Sequence, residues 1–246
     1  YKKNHITNVI FRIDFPTIST LTKSDQLDIF QKKIKIYPKR NEIRGGFIEY
    51  KMTDSDLEVN RKESRMSWEF LNKGASRKLV VDPNFIVIEY FKYKNFKSFY
   101  SEINSIIKSF NESFPLSTIN RIGLRYINII NVKTGNPVDW SDLINKNLYL
   151  TTSDFIEDKS KLIKNLQLIE YKETDYHIRF TAGMFNSEYP NPITRKEFVL
   201  DYDCFYEGEI PATEVMPKVK IFNKTINKWF ENSIEDGLRQ IMNGDA

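Results

Sequence analysis

The sequence predicts an α+β fold in which two tandem half-repeats form one curved antiparallel sheet packed on two long helices. Short β-type segments follow one another with turn residues between them, which is typical of antiparallel strands. Two long stretches carry apolar residues at helical spacing. The order strand, helix, several strands and long helix occurs twice along the 246 residues. We therefore divide the chain into a basic first half-repeat, 1–117, and an acidic second half-repeat, 118–246, fused as one globular unit.

The first half-repeat begins with a strand over Ile6–Phe15, which is rich in β-branched and aromatic residues. A helix capped by Ser24 or Asp25 follows it and ends at Pro38. An antiparallel meander is then expected from four strands over 46–52, 66–71, 78–82 and 85–91. A long helix over Asn95–Phe114 closes this half, and its broad apolar stripe should lie across the sheet.

The second half-repeat begins with a strongly β-type run over Thr118–Val132. A short helix is expected over Asp139–Asn145, because Asp139 is a favourable N-cap. Three more strands are predicted over 162–174, 176–185 and 196–206. The chain then finishes in one helix over about Glu214–Met242, with Pro217 near its start.

Matching residues support an internal duplication. Ile48–Asp54 is identical to Ile169–Asp175 at six of seven positions. Short β-type strings of similar composition also match by chance, so this pairing is the main support. If the duplication holds, each half buries one sheet face under its long helix, and the outer face forms a saddle or groove. This resembles the TATA-binding-protein and helix-grip families in arrangement only, and an arrangement carries no function with it.

The charge is uneven along the chain. Residues 1–123 hold 22 Lys and Arg against 14 Asp and Glu, whereas residues 124–246 hold 15 against 19. The net charge of +4 thus divides into +8 and −4, which permits either an anionic partner or contacts between unlike halves. A lone cysteine, Cys204, excludes an intramolecular disulfide, and no apolar run reaches the length of a membrane span. We expect a cytoplasmic protein without membrane contact.

The sequence contains no recognisable catalytic constellation, and we expect no catalytic residue, metal or cofactor. Glu49-Tyr50-Lys51 and Glu170-Tyr171-Lys172 match the E-x-K fragment of metal-dependent nucleases, but the pattern is common on solvated strands. Four carboxylates could hold Mg²⁺ or Ca²⁺, although a charged edge strand explains them better: Asp201, Asp203, Glu207 and Glu209. His5 and His177 have no neighbouring metal-ligand partner in the sequence.

Cations interleaved with aromatic residues form candidate anion-binding or nucleic-acid-binding patches in two groups. The first group is Lys32, Lys33, Lys35, Lys39, Arg40 and Arg44, and the second contains Lys92 and Lys94. Such a mixture suits phosphate contacts and base stacking. The same cations also fit the end of a helix, where the macrodipole favours positive charge, or an ordinary solvated surface.

A second set of residues is predicted to be structural: Arg12, Asp14, Gly123, Arg125, Tyr126 and Asn128. Arg12 and Asp14 are two positions apart on one strand, so they share a face and should pair. Arg125 is flanked by apolar residues and should bond to a carboxylate or to backbone carbonyls. Gly123 is expected to mark a bulge or a close approach between a helix and the strand.

The string Arg121–Asn128, which contains Gly-Leu-Arg-Tyr-Ile-Asn, resembles a sporadically distributed family of uncharacterised prokaryotic proteins. The resemblance extends over nearly the whole chain and includes 6–15, 68–70, 79–90, 200–203 and 229–234. It implies no catalytic residues. The patchy distribution of that family resembles that of mobile defence genes, including genes near CRISPR loci.

Together these features favour a non-enzymatic accessory or regulatory protein. We expect a homodimer that binds a protein or ribonucleoprotein partner in prokaryotic anti-phage, CRISPR-linked defence. One alternative is a nucleic-acid-binding protein that uses its basic first half. Another is a divergent metal-dependent nuclease that uses Glu49 and Glu170.

Overall fold

The structure, a computed structural model, describes residues 1–52, 57–149 and 155–244, without the side chains of 45–65. The strands in these ranges are β1 (Ile6–Asp14), β2 (Lys39–Met52), β3 (Leu57–Leu71), β4 (Arg77–Asp82), β5 (Phe85–Tyr90), β6 (Thr118–Val132), β7 (Asn165–Lys172), β8 (His177–Met184) and β9 (Lys196–Pro211). The α-helices are α1 (Ser24–Lys33), α2 (Phe96–Ser113), α3 (Val215–Ser233) and α4 (Asp236–Asn243). None of these helices is long and apolar enough to cross a membrane.

The strands of the described residues form one antiparallel sheet in the order β2-β3-β4-β5-β1-β6-β9-β8-β7. The predicted α+β class with a single large antiparallel sheet is confirmed. The meander from β2 to β5 is also present, with each strand paired to the next. β1 lies between β5 and β6, so the strands of the first part of the chain join those of the second at the centre of the sheet.

The hydrophobic core lies between one face of this sheet and the helices. Alternation along β1 buries Val9, Phe11 and Ile13 completely, because successive side chains point to opposite faces. From above, α2 contributes Phe99 and Phe110, whose rings contact aromatic rings of the strands and of α1. A second set of buried side chains comes from α3: Val215, Val219, Phe222 and Ile226. The apolar stripe predicted for the long helix over Asn95–Phe114 therefore does lie across the sheet.

The opposite side of the sheet, which we call the open face, has no such cover. Most of its described side chains are half-buried or exposed, and the contacts of the described helices lie on the other side. Arg12 of β1, Arg125 of β6 and Arg179 of β8 belong to this face. Polar residues can remain there because water still reaches the strands.

The helix predicted over Asp139–Asn145 is wrong. This segment forms turns, and Asp142 has a φ of 64°, which is a left-handed conformation that no α-helix contains. Asp139 still acts as a cap of a turn, since its carboxylate accepts bonds from the backbone and hydroxyl of Ser141 at 3.0 and 2.6 Å. A local cap signal alone did not ensure a helix.

The single C-terminal helix is also wrong, because the structure divides it. α3 ends at Ser233, Ile234 is extended with φ −114° and ψ 153°, and α4 starts at Asp236. The break allows Ile234 to pair with Ile144 in an isolated β-bridge. The apolar spacing of the sequence continues through the break, so the sequence pattern does not indicate it. The break depends on the pairing of Ile234 with Ile144, which is distant in sequence.

Candidate ligand-binding groove

The centre of the open face holds a groove that four arginines line. Its cavity has a volume of about 560 Å³ and is formed by β1, β6, β8 and β9. The arginines are Arg12, Arg121, Arg125 and Arg179, and we call the site the arginine groove. Strand pairing brings them together, because Arg12 lies opposite Gly123 while Arg125 and Arg179 both lie opposite Asp203. Residues far apart in sequence thus form one site.

Gly123 creates the floor of the groove. It lies between Arg12 of β1 and Phe205 of β9, and it contributes no side chain to the row. The guanidinium of Arg121 occupies the space above it, since a Cβ at position 123 would lie 2.7 Å from Arg121 Nη1. The close approach expected at Gly123 is therefore to an arginine side chain rather than to a helix.

Three of the four arginines are held by carboxylates: Arg12, Arg125 and Arg179. Arg12 Nε donates to Asp14 Oδ1 at 2.6 Å, which is the partner that their spacing predicts, and its guanidinium stacks on Phe85 at 4.5 Å. Arg125 donates to both oxygens of Asp201, at 2.8 and 2.5 Å. This bidentate contact, opposed by partial burial, raises the pKa of Arg125. The pairs of Arg12 and Arg125 fix the rim of the groove.

Arg121 differs from the other three, because its side chain has no hydrogen bond within the described residues. Its nearest carboxylate atoms are Glu207 Oε1 at 3.6 Å and Asp203 Oδ2 at 3.8 Å, both beyond hydrogen-bond distance. Only 22% of its side chain is exposed, against 44% for Arg125. Its guanidinium lies over the ring of Phe205, 5.2 Å from the ring centroid. Arg121 is consequently the arginine with donors available to a ligand.

Phe205 supports the far wall of the groove. It belongs to the open face but is only 6% exposed, because Arg121 and Arg179 cover it. The imidazole of His177 stacks parallel to its ring, with the ring centroids 5.3 Å apart. Arg179 also donates to Glu170 at 2.6 Å. The ring of Phe205 therefore contacts two arginines of the groove, and the bond between Arg179 and Glu170 links the groove to β7.

Asp203 places a carboxylate in the same groove. Burial raises its pKa, and the charge of Asp201 adds to that effect, although Arg121, Arg125 and Arg179 act in the opposite direction. Within the described part of the chain it has no hydrogen bond, and its one ion pair is the 3.8 Å contact with Arg121. The groove therefore offers open donors and an open acceptor side by side. Arginine forks of this kind bind carboxylates and phosphates, while the aspartate favours an amine or amide.

The remaining residues of the predicted structural set face the helices. Tyr126 donates to Asn223 Oδ1 of α3 at 3.0 Å and lies 3.3 Å from the hydroxyl of Tyr93. Asn128 is buried and donates to the carbonyl of Leu200 at 3.1 Å. The alternation of β6 thus divides the Gly-Leu-Arg-Tyr-Ile-Asn string between the groove and the core.

The residues of the two predicted basic groups do not form one surface. Lys33 bonds to Glu112 in the last turn of α2, whereas Lys92 and Lys94 precede its first turn. A helix of 18 residues separates the two groups by about 27 Å, at 1.5 Å per residue. Arg40 and Arg44 have carboxylate partners in Asp28 and Glu42. Lys32, Lys35 and Lys39 are exposed and lack an ion pair within the described ranges.

The residues considered for metal chemistry are dispersed or already bonded. Glu170 bonds to Arg179, and the side chains of Glu49 and Lys51 lie outside the described residues. β9 lies between β6 and β8, so the interpretation of its carboxylates as edge-strand protection is wrong. In the part of the chain that the structure describes, no group of three or more His, Cys, Asp and Glu could hold a metal ion.

Sequence reasoning did not assign Arg121, Arg179 or Phe205 to a site. A period-2 pattern in β6, with Arg121, Gly123 and Arg125 on one face, could have indicated the first of them. Arg179 and Phe205 come from strands whose neighbours cannot be derived from local pattern. Neither protein-family models nor curated proteins match the chain.

Proposed function

We propose that the chain is a non-enzymatic accessory or regulatory protein that binds a protein or ribonucleoprotein partner through the arginine groove. As part of this proposal, the role belongs to anti-phage, CRISPR-linked defence in the cytoplasm; its support is the resemblance of the central motif to a patchily distributed prokaryotic family. The observation that carries the proposal is Arg121, a largely buried arginine without a hydrogen bond in the described residues. A guanidinium whose ion pairs, at 3.6 and 3.8 Å, are too long for hydrogen bonds is suited to an anionic group of a partner.

Two further properties support binding rather than catalysis. Two carboxylates at the groove are bonded to arginines, Asp14 to Arg12 and Asp201 to Arg125, so these two are poor candidates for proton transfer. The groove is also shallow and lies on a sheet, where extended surface contacts are easily made. Mixed charges on such a surface favour specificity for one partner over others.

The tandem origin of the fold forms part of the proposal. From the edge of the sheet towards its centre, the strands follow the order β3-β4-β5-β1 in the first part of the chain and β7-β8-β9-β6 in the second. In both parts the first strand in sequence is the innermost one, and a long helix follows the last strand. In this comparison β7 corresponds to β3. The Ile48–Tyr50 end of the matching string lies instead on β2, one strand away, and Thr53 and Asp54 lie outside the described residues. The order of strands, rather than that string, supports two half-repeats divided near residue 117.

The test is capture of the partner with a tagged chain expressed in its native cells. We expect Arg121→Gln to lose the partner, and to weaken binding of the purified partner at least about tenfold, because one anion contact is lost. Arg195→Gln is the matched control, since Arg195 is also paired with a carboxylate but lies outside the groove. Gly123→Ala should act like Arg121→Gln, because the added Cβ displaces the guanidinium. Equal capture by all variants would contradict the role of the groove.

Direct nucleic-acid binding by the basic first half is the second candidate. The exposed Lys32, Lys35 and Lys39, which lack ion pairs within the described ranges, favour it. It predicts a salt-dependent gel shift that charge reversal at Lys35, Lys39 and Arg40 removes, whereas Arg121→Gln leaves it unchanged. Cleavage dependent on Mg²⁺ or Mn²⁺ and lost in Glu170→Gln would instead indicate the metal-dependent nuclease.

A further inference from the structure

The outer edge of β7 is an apolar strand edge without a partner among the described elements. β7 is the last strand of the sheet, and it pairs with β8 alone. Leu168 is 64% exposed, Tyr171 is 49% exposed, and Leu166 and Ile169 are exposed as well. Its eight residues pair with β8 without a register shift, so no bulge turns the edge away. Such an edge offers a continuous row of backbone donors and acceptors to another strand.

The opposite edge of the sheet shows the protection that β7 lacks. The described start of β2 carries Lys39, Arg40, Glu42 and Arg44 within six residues. Charged side chains on an edge strand oppose pairing with another chain, because the pairing would remove their water. On β7 one face carries Leu166 and Leu168 before Glu170 and Lys172, and the other face carries Ile169 and Tyr171. The two edges of one sheet therefore differ in a way that favours an occupant on β7.

The sequence around β7 is complementary to itself in one antiparallel register. With Gln167 of two copies opposite each other, Leu166 of each copy faces Leu168 of the other. If the pairing continues past the start of β7 to the two preceding residues, Lys164 faces Glu170 and Ile163 faces Tyr171, so unlike charges pair and apolar residues meet. Registers centred on Leu168 or Glu170 instead oppose Lys164 to Lys172 or Glu170 to itself. In this register odd-numbered residues face odd-numbered residues, and even-numbered residues face even-numbered ones. The side chains of a pair point to the same side of the sheet, so the open faces of both copies lie on the same side.

We propose that a second copy of this chain occupies the edge, and that β7 pairs antiparallel with β7 of the other copy about a twofold axis at Gln167. The two nine-stranded sheets become one continuous sheet, and both arginine grooves face the same direction. An isologous contact of this kind closes the assembly at two copies. This inference concerns self-association and is independent of the partner proposed for the groove, so either can fail without the other.

The test is the mass of the full chain in solution, measured by light scattering and sedimentation over a range of concentrations. We expect twice the mass of one chain. Leu168→Lys should give a single-chain mass, because it places a charge at the centre of the apolar contact, and its exposed position keeps the fold intact. Circular dichroism then verifies that the variant is folded. A chain that is monomeric at every concentration overturns the proposal.

Charge exchange tests the register itself. Lys164→Glu should raise the dimer dissociation constant about tenfold, because it places like charges opposite one another twice. Glu170→Lys should have the same effect, but it also breaks the ion pair of Glu170 with Arg179, so circular dichroism must show that this variant is folded. An equimolar mixture of these two variants should form a heterodimer, since unlike charges face each other again at both places. Lys172→Glu is the matched control and leaves the dissociation constant unchanged, as Lys172 faces Leu162 in this register. A dimer that none of these changes affects would overturn the β7 contact.

Discussion

Asp203 shows how a single residue of the groove can lower the stability of the fold. Its carboxylate is mostly buried, it has no hydrogen bond among the described residues, and burial raises its pKa. A buried carboxylate whose charge is poorly compensated destabilises the folded state at neutral pH. Asp201, two residues away on the same strand face, instead receives two hydrogen bonds from Arg125. The same residue type thus has opposite effects at neighbouring positions.

We predict that Asp203→Asn increases the free energy of unfolding at pH 7. The folded pKa of Asp203 lies above the ordinary value of 3.8, so its ionisation costs stability as the pH rises from 3.8 through the folded pKa. The gain should therefore be complete above that window and absent below pH 3.8. Urea unfolding at pH 7 and pH 3.5 measures it.

Asp201→Asn is the comparison for this prediction. It removes a charged acceptor from Arg125 and should cost roughly 1–3 kcal/mol at pH 7. Changes of the same sign in both variants would show that Asp203 is stabilised by the arginines despite its burial.

At the scale of elements, β8 depends on a glycine that holds β7 in place. Gly183 has a φ of 143°, and it lies between Leu166 of β7 and Val199 of β9. A Cβ at this position would lie 2.0 Å from the carbonyl oxygen of Asn165. Backbone atoms cannot move aside as a flexible side chain can, so a larger residue must displace the start of β7.

We predict that Gly183→Ala costs on the order of 3 kcal/mol, from the strained φ and the collision with β7. Chemical unfolding measures the loss, and amide hydrogen exchange should show weakened protection over 165–168. Gly74→Ala is the control with little effect, since no atom lies within 4 Å of its added Cβ. Equal costs at the two glycines would argue against this account of Gly183.

Secondary-structure elements were predictable where local pattern and tertiary environment agree. β6 was expected over Thr118–Val132 and has those bounds, because its β-type run lies in the middle of the sheet. The break at Ile234 and the turns after Asp139 were not predictable. Both depend on the contact between Ile144 and Ile234, which are 90 positions apart in sequence.

At the scale of the whole molecule, the central pair of β1 and β6 unites the chain. Their contact covers Ile6 to Asp14 and buries apolar residues of both strands under the helices. Tyr126 of β6 also contacts Tyr93 from the first part of the chain and Asn223 of α3. Neither part can bury its central strand alone, because separation exposes a long edge and the apolar face beside it.

We predict that fragments 1–117 and 118–246 do not fold cooperatively when produced separately. Mixing or coexpression should restore a stable complex, because the β1–β6 pairing forms again. Thermal unfolding followed by circular dichroism is the measurement. The full chain cut between residues 117 and 118 after folding serves as the control and should keep its transition. Two independently folded fragments would show that the halves are separate domains.

The sequence by itself determined the class of fold, most strands, the long helix α2 and the pairing of Arg12 with Asp14. These follow from periodicity, from capping and from spacing within one strand, which are local properties. Only the tertiary structure decided which strands are neighbours. It thereby placed Arg121, Arg179, Asp203 and Phe205 in one groove, separated the predicted basic residues, and left β7 at the edge of the sheet. Cross-strand neighbours come from distant parts of the chain, and no local pattern specifies them.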